Sequence, residues 1–305
     1  MKKLIYNFFF RKYQNRKLYM IGLSHILLMR KNYSKVNKLS DVDYKIFSQN
    51  GEDGILDYLL YQLKIEKPKY IEIGVGDYTE SNTRFIFERC SPKGTVVDCL
   101  ENLEEKIKKN FSLWKSELKI VNDFVNPNNI IKIMREADTL NNLDIFSLDI
   151  DGIDYWILKE LPKDFSKIAI VEFNPIFGKN LKVSVPNIIN FDRKKYHYSN
   201  LCFGMSLQAA IEIMNEKNFY FVGTNLLRNN AFFISKNYKK EKYFKNLMIN
   251  NIENSTDANF TESRDIKGNL NFLNYQKRVK EILECEVIDL SVNSNTKIKL
   301  KDLQM

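Results

Sequence analysis

The sequence predicts an α/β fold whose mostly parallel seven-stranded sheet is closed by an antiparallel hairpin and flanked by helices. Three observations lead to this prediction. Short apolar runs alternate with amphipathic stretches from Leu39 onward, the connections between them are short, and no internal repeat or low-complexity run interrupts the pattern. With 305 residues, 44% of them hydrophobic, the chain can also bury a sizeable core.

Five short apolar runs predict the parallel strands, because each is too brief to be a helix. They cover residues 70–73, 95–98, 118–121, 145–148 and 169–172. Amphipathic spacing predicts helices before and between them, at residues 52–63, 81–88, 103–111, 129–136 and 154–161. Alternation of this kind yields a parallel sheet with right-handed crossovers.

Beyond the fifth strand the periodicity stops for about thirty residues, and a segment of that length is usually functional or mobile. A helix carrying Leu207 and Met214 follows, and then two strands at 219–223 and 231–234 that predict an antiparallel hairpin at the edge of the sheet. The rest of the chain is rich in Lys and Asn. It is predicted to add a helix at 275–283 and a strand at 287–290, as an extension and not as a second domain.

The net charge of +9 is concentrated at the N-terminal end of the chain. Residues 1–38 contain ten Lys or Arg and no acid, so the other 267 residues carry 37 basic and 38 acidic groups. A body that is close to neutral predicts no nucleic-acid partner. The cysteines are scattered without a C-x-x-C pair, which argues against a zinc site and favours a reducing cytoplasm.

The basic arm has two interpretations. Its apolar run at 18–29 is too short to span a bilayer, and no small-x-small cleavage site follows it. Either the arm is a cationic amphipathic element that rests on anionic lipid at the inner membrane surface, or its helix packs on the domain with a solvated basic face. The predicted location is the cytoplasm, with a peripheral membrane contact in the first case.

The first chemical motif stands where the first strand ends, at Glu72-Ile73-Gly74-Val75-Gly76-Asp77. Glycines at such a position let the backbone turn tightly and approach a ligand. Asp98 ends the next strand, 24 residues after Gly74, where an acid can accept hydrogen bonds from ribose hydroxyls. The alternatives are a plain turn for the glycines and a capping or solvated acid for Asp98. A dinucleotide fingerprint would need a third glycine that is absent here, which disfavours NAD.

The second motif is a group of acids that follows the fourth and fifth strands. Asp149, Asp151 and Asp154 come after the fourth strand, and Glu172 and Asn174 end the fifth. Ligands in open α/β sheets bind beyond the carboxyl ends of the strands. Carboxylate and amide oxygens are ligands that Mg²⁺ prefers, so Asp149, Asp151, Glu172 and Asn174 form a candidate metal site. Helix capping by Asp151 or Asp154 is the alternative.

One of the two histidines is a candidate general base. His197 falls in the aperiodic segment that would cover a substrate, and histidine titrates near neutral pH. A structural histidine is the alternative. His25 lies in the basic arm and has no predicted role.

Three segments resemble the FkbM-like family of class I S-adenosylmethionine-dependent methyltransferases. They are residues 48–53 (SQNGED), 72–77 (EIGVGD) and 147–152 (SLDIDG), and the resemblance covers about residues 45–235. It implies a Rossmann-like class I methyltransferase fold, S-adenosylmethionine as the cofactor, and O-methylation of a hydroxyl on a small molecule or a surface glycan. The regions are then a basic arm (1–40), a methyltransferase domain (41–235) and a C-terminal extension packed on it (236–305).

The resemblance also implies roles for single residues at the cofactor. Glu72, Gly74 and Gly76 would line the methionine and sulfonium end, and Asp98 would bind the ribose. Asp123 would face the adenine. Family members commonly place a proline after the ribose acid, whereas Cys99 follows here.

Two of these roles have a competing residue nearby in the sequence. Glu101 competes with Asp98 for the ribose, and Asn122 competes with Asp123 for the adenine.

The catalytic candidates are Asp149, Asp151 and His197. Asp149 and Asp151 would bind the acceptor or Mg²⁺ with Glu172 and Asn174 in the same shell, and His197 would be the base in a metal-free reaction. Asp149-Ile150-Asp151 also fits a metal-dependent glycosyltransferase, against which the glycine loop argues. A non-catalytic, membrane-tethered binding module is the third alternative.

Overall fold

The computed structural model describes residues 20–90, 92–110, 113, 117–238, 247, 262–292 and 296–303. Residues 1–19 of the predicted basic arm therefore lie outside the described residues. The strands are Lys69–Ile73 (β1), Lys93–Asp98 (β2), Glu117–Asn122 (β3), Ile145–Leu148 (β4), Ile168–Glu172 (β5), Val183–Ser184 (β6), Phe219–Thr224 (β7), Asn230–Ser235 (β8), Glu286–Asp289 (β9) and Lys297–Lys299 (β10).

Helices cover both the predicted positions and some new ones. The described helices are residues 20–29 (α1), Glu52–Gln62 (α2), Arg84–Cys90 (α3), Leu103–Asn110 (α4), Ile130–Glu136 (α5), Asp154–Glu160 (α6), Arg193–Tyr196 (α7), Leu207–Glu216 (α8) and Tyr275–Glu281 (α9). Among these, none is both long and apolar enough to span a bilayer.

The main sheet has seven strands in the order β3-β2-β1-β4-β5-β8-β7. Strands β1 to β5 pair in parallel, whereas β8 is antiparallel to β5 and β7 is antiparallel to β8. The predicted mostly parallel sheet with an antiparallel closing hairpin is thus confirmed. Its five parallel strands end on one edge, so that their carboxyl ends surround a common space.

Two details differ from the sequence-based expectation. Helix α3 begins at Arg84 and not at residue 81, because the buried Glu72 carboxylate holds the backbone N–H groups of Asn82 and Thr83 in the preceding loop. The segment predicted to be aperiodic contains β6 and α7, which are too short to show a period. Strand β6 joins β9 and β10 in a second, three-stranded antiparallel sheet.

The described end of the basic arm is fastened to the domain through Asp57 of α2. Asp57 is buried and pairs with Arg30, at 2.6 Å, and with Arg89 of α3, at 3.0 Å. The hydroxyl of Tyr33 donates to the same carboxylate at 2.8 Å. Ile26 of α1 and Tyr33 are each 1% exposed, so this stretch packs on the domain.

We expect the Asp57→Asn substitution to lower the free energy of unfolding by about 3 kcal/mol, because it leaves two partly buried guanidinium groups without their anion. Urea unfolding measures the change. Glu104→Gln is the matched control, since it breaks an exposed i,i+4 pair with Lys108 that contributes below about 0.5 kcal/mol. Equal losses in the two variants would contradict the anchoring role of Asp57.

Candidate active site

A cavity of about 660 Å³ opens at the carboxyl ends of the parallel strands. Its wall carries the loop after β1, the ends of β2 to β5 and the start of β8. This volume falls within the range of about 300–1,000 Å³ that is usual for small-molecule sites. Lining residues include eight of the predicted site residues: Glu72, Gly74, Gly76, Asp98, Asp123, Asp149, Asp151 and Glu172.

The two glycines of the first motif have different roles. Gly74 has φ +88°, and a Cβ placed on it would lie 1.6 Å from the backbone oxygen of Asp149. A glycine is required there because the loop after β1 crosses the loop after β4. Gly76 has φ +56°, and a Cβ on it would meet no protein atom within 4 Å. The space above Gly76 is open cavity.

Glu72 holds the loop after β1 and does not offer its carboxylate freely to a ligand. One oxygen accepts the N–H of Asn82 at 2.8 Å, and the other accepts the N–H of Thr83 at 2.9 Å together with the Thr83 hydroxyl. Burial raises the pKa of Glu72 to about 7, against the effect of these hydrogen bonds. The Asn82 side chain continues the network to Ser147 on β4.

The Asp98 carboxylate connects the loop after β1 to the loop after β2. Its Oδ2 accepts the N–H of Gly76 and its Oδ1 accepts the N–H of Leu100, both at 2.8 Å. A carboxylate offers about four lone-pair sites, so each oxygen keeps room for a ligand hydroxyl. Its predicted competitor for the ribose, Glu101, is exposed and does not line the cavity.

At the end of β3, Asp123 lines the cavity and is exposed to it. The competitor Asn122 does not line the cavity. Its amide donates to the backbone oxygens of Asp98 and Leu100, at 2.8 and 2.9 Å, and so positions the loop. Asp123 therefore faces the cavity, whereas Asn122 supports its wall.

Three carboxylates converge at the ends of β4 and β5. Asp149, Asp151 and Glu172 each offer an oxygen, and these atoms lie within 4.8 Å of one another. Burial, together with the negative charge of Asp151 and Asp154, raises the pKa of Asp149 well above its usual range. Burial and the charges of Asp149 and Asp151 do the same to the pKa of Glu172. Such a group holds a proton or a cation readily.

The loop that carries this cluster is held by internal contacts. Buried Asp154 accepts the N–H groups of Ile150 and Gly152, at 3.2 and 3.0 Å, and so fixes the loop in front of α6. Asp151 has φ +53°, and its N–H donates to Glu172 at 3.2 Å. Its carboxylate forms an ion pair with Arg193 of α7. Arg193 lines the cavity, and the sequence analysis did not identify it, because no periodicity indicates which basic residue of this segment faces a ligand.

Asn174, which the sequence predicts to share in a metal site, does not line the cavity, and its side chain is hydrogen-bonded within the protein. Asn174 is fully buried, and its Oδ1 accepts the N–H of Ile176 at 3.0 Å. Its amide donates to the backbone oxygens of Leu201 and Phe203, at 2.8 and 3.0 Å. Asn174 therefore shapes the cavity wall from behind.

His197 is likewise not among the lining residues of the cavity. Its Nδ1 is paired with the hydroxyl of Ser199 at 2.6 Å, and its ring lies 4.4 Å from that of Tyr198 between centroids. Partial burial lowers the pKa of the imidazole. The geometry does not bring His197 to the carboxylate cluster, so the assignment of His197 as general base is not supported.

Several solved structures resemble this fold at low sequence identity. The N-terminal domain of EvdMO1, with SAH bound, matches with 6% identity over 62% of this chain and 80% of that chain, at a TM-score of 0.41. An S-adenosylmethionine-dependent methyltransferase from Clostridium acetobutylicum matches with 8% identity over 60% of this chain and 90% of that chain, at 0.38.

The methyltransferase domain of bacterial CtHen1-C matches with 12% identity over 60% of this chain and 96% of that chain, at 0.38. No family model and no curated protein matches the sequence. The sheet order and the cavity by themselves define a Rossmann-like α/β protein with a ligand site at the carboxyl edge of its sheet.

Proposed function

We propose that this protein is an S-adenosylmethionine-dependent O-methyltransferase of the FkbM-like type. The observation that carries the proposal is the open space at Gly76, next to an Asp98 carboxylate that keeps free lone pairs. A nucleoside with two vicinal hydroxyls fits this pair, because the hydroxyls donate to the carboxylate while the backbone at Gly76 leaves room for the sugar.

The division of the cavity supports a transfer between two bound molecules. Gly76, Asp98 and Asp123 lie at the ends of β1 to β3, whereas Asp149 and Glu172 lie at the ends of β4 and β5. Neighbouring strands are about 4.8 Å apart, so the second group stands roughly 10 Å or more from the ribose acid. The first group would hold the cofactor and the second group would hold the acceptor.

The carboxylate cluster supplies what an alcohol needs in order to react. S-adenosylmethionine, when bound, supplies a methyl group on a positively charged sulfur. An acceptor hydroxyl is a poor nucleophile until its proton is removed, and an ionised Asp149 would accept that proton. The hydroxyl oxygen would take the methyl group as the S–CH3 bond breaks, and S-adenosylhomocysteine would leave. Arg193 holds Asp151 in place and limits the negative charge of the cluster.

The same cluster could act in a second way, by holding Mg²⁺ in place of the proton. Asp149 and Glu172 would hold the ion and Asp151 would share in it, whereas the side chain of Asn174 does not line the cavity. Mg²⁺ is commonly bound by one or two carboxylates together with substrate oxygens, which this geometry allows. A sugar hydroxyl suits the site, since Phe191 adds an aromatic wall beside the acids.

Calorimetry with S-adenosylhomocysteine tests the cofactor site. We expect the wild-type protein to bind it and Asp98→Ala to weaken binding at least about tenfold, because hydrogen bonds to a charged group contribute about 1.5–3 kcal/mol each. Glu101→Ala removes the neighbouring acid that does not line the cavity and should leave the affinity unchanged. Thermal unfolding of each variant separates lost binding from lost folding.

Two results would contradict the proposal. One is equal binding of S-adenosylhomocysteine by the wild-type protein and both variants. The other is a rise in Tm with UDP or GDP sugars and none with S-adenosylhomocysteine, which would favour the glycosyltransferase alternative.

A further inference from the structure

The exposed face of helix α1 carries large apolar side chains together with Ser24 and His25, although the opposite face packs on the domain. Four large apolar side chains of this helix are more than half exposed: Met20 at 52%, Ile21 at 65%, Leu27 at 55% and Leu28 at 58%. Ile26, on the other face, is 1% exposed. We call these four residues the α1 face. Both sequence-based interpretations of the arm therefore have support, each from a different side of the same helix.

Charge complementarity indicates what covers the α1 face. The surrounding sequence, residues 1–38, holds ten cations and no acid, and Lys31, Lys35 and Lys38 are exposed in the residues that follow the helix. A helix with an apolar face and flanking cations lies in the plane of a membrane interface. Each cation near an anionic surface adds about 1 kcal/mol of attraction.

Helix α1 is anchored to a segment that reaches the wall of the cavity. Arg30, which follows α1 directly, is fixed to Asp57 at 2.6 Å. Within α1, a Cβ placed on Gly22 would lie 3.4 Å from the side chain of Ile46, so the helix rests on that segment. Gln49, three residues after Ile46 and within about 11 Å along the chain, already lines the cavity.

Residues 43–49 also contact a second segment of the chain that lines the cavity. The Asp43 carboxylate accepts the N–H of Leu226 at 2.7 Å, and the next residue, Leu227, lines the cavity. Leu226 itself is 51% exposed, which adds an apolar side chain at this rim. Residues 43–49 thus contact helix α1 through Ile46, contact Leu226 through Asp43, and reach the cavity wall at Gln49.

We propose that the α1 face is a membrane-docking surface and that the methyl acceptor is a molecule displayed on an anionic membrane, such as a lipid headgroup or a lipid-linked glycan. The substrate part of this inference rests on the proposed methyltransferase function. A membrane-bound acceptor needs a docking helix that is fixed near the cavity, and the contacts of Ile46 with α1 and of Asp43 with Leu226 connect this helix to segments that line the cavity.

Vesicle sedimentation tests the docking surface. The full-length protein is expected to bind vesicles of phosphatidylcholine with phosphatidylglycerol, to bind phosphatidylcholine alone at least about tenfold more weakly, and to dissociate as salt rises. The double variant Leu27→Glu/Leu28→Glu should lower the partition at least about tenfold, because it puts two charges into the apolar interface.

The matched control is Ile266→Glu/Val292→Glu. It adds the same charge at two other exposed apolar positions, 80% and 52% exposed, and should bind vesicles as the wild type does. Equal binding to neutral and anionic vesicles, or equal loss in both double variants, would overturn the proposal. Self-association of the wild type without vesicle binding would assign the α1 face to a second copy of the chain.

Methyl transfer tests the substrate. Labelled S-adenosylmethionine is incubated with the separated membrane and soluble fractions of the source cells, and label is expected in the membrane fraction. Leu27→Glu/Leu28→Glu should lower this labelling at least about tenfold, with its affinity for S-adenosylhomocysteine unchanged. Label in soluble molecules, or no label at all despite cofactor binding, would overturn the membrane acceptor. Loss of cofactor binding in the wild type would instead refute the proposed function and leave vesicle binding standing.

Discussion

Replacing Asp149 with asparagine is expected to lower the rate of methyl transfer at least about a hundredfold while the affinity for S-adenosylhomocysteine stays the same. The amide keeps the shape of the side chain but can neither accept the proton of an acceptor hydroxyl nor balance a cation, and positioned acid–base groups contribute typically about 10²–10⁴-fold. Asp149 is also the member of the cluster that directly follows the central strand, β4, between the two halves of the cavity.

The measurement is label transfer from S-adenosylmethionine to cell fractions, with calorimetry on the same samples. Asp123→Asn is the control: it alters an acid of the same cavity on the cofactor side and should weaken cofactor binding without changing the rate at saturation. A rate for Asp149→Asn within about twofold of wild type would remove the cluster from the reaction, and proximity of the two bound molecules would then account for catalysis.

A chelator separates the two ways in which the cluster can act. With Mg²⁺ held by Asp149 and Glu172, we expect EDTA to abolish label transfer and added Mg²⁺ or Mn²⁺ to restore it. Transfer that is indifferent to EDTA would assign Asp149 as a general base without metal. Glu172→Gln should then keep more activity than Asp149→Asn, because only one of the two carboxylates takes the proton.

Substitutions at the two glycines of the first motif are expected to have different effects: one lowers stability and the other lowers cofactor affinity. Gly74→Ala should lower the free energy of unfolding by about 3 kcal/mol or more, because its Cβ would stand 1.6 Å from the Asp149 backbone oxygen and neither backbone can yield cheaply. Gly76→Val should fold, since no protein atom lies within 4 Å of a Cβ there, and it should lose cofactor affinity at least about a hundredfold.

Gly268→Val is the control for the second substitution. Gly268 also has a positive φ, +84°, and open space around its Cβ position, but it does not line the cavity. It should show the same backbone penalty of about 1–2 kcal/mol and normal binding of S-adenosylhomocysteine. Urea unfolding and calorimetry report the two effects separately. A Gly76→Val protein that binds the cofactor as tightly as Gly268→Val would refute the placement of the cofactor at Gly76.

The architecture was predictable because it follows from local patterns. Apolar runs of four to six residues separated by amphipathic helices require a parallel sheet, and the parallel strands place their carboxyl ends together. The sequence alone could therefore indicate that Gly76, Asp98, Asp149 and Glu172 face one cavity, although 96 residues separate the first of these from the last.

The choice between a ligand-facing and an internal polar group was decided only by the tertiary structure. Asn174 and Glu172 are two residues apart and both are polar. The Asn174 amide nevertheless donates to the backbone oxygens of residues 201 and 203, which no local pattern connects to it. Arg193 reaches Asp151 across 42 positions, and His197, four residues further, turns to Ser199. A buried polar atom must find a hydrogen-bond partner wherever the fold provides one, so long-range packing determined which of the predicted residues remained for chemistry.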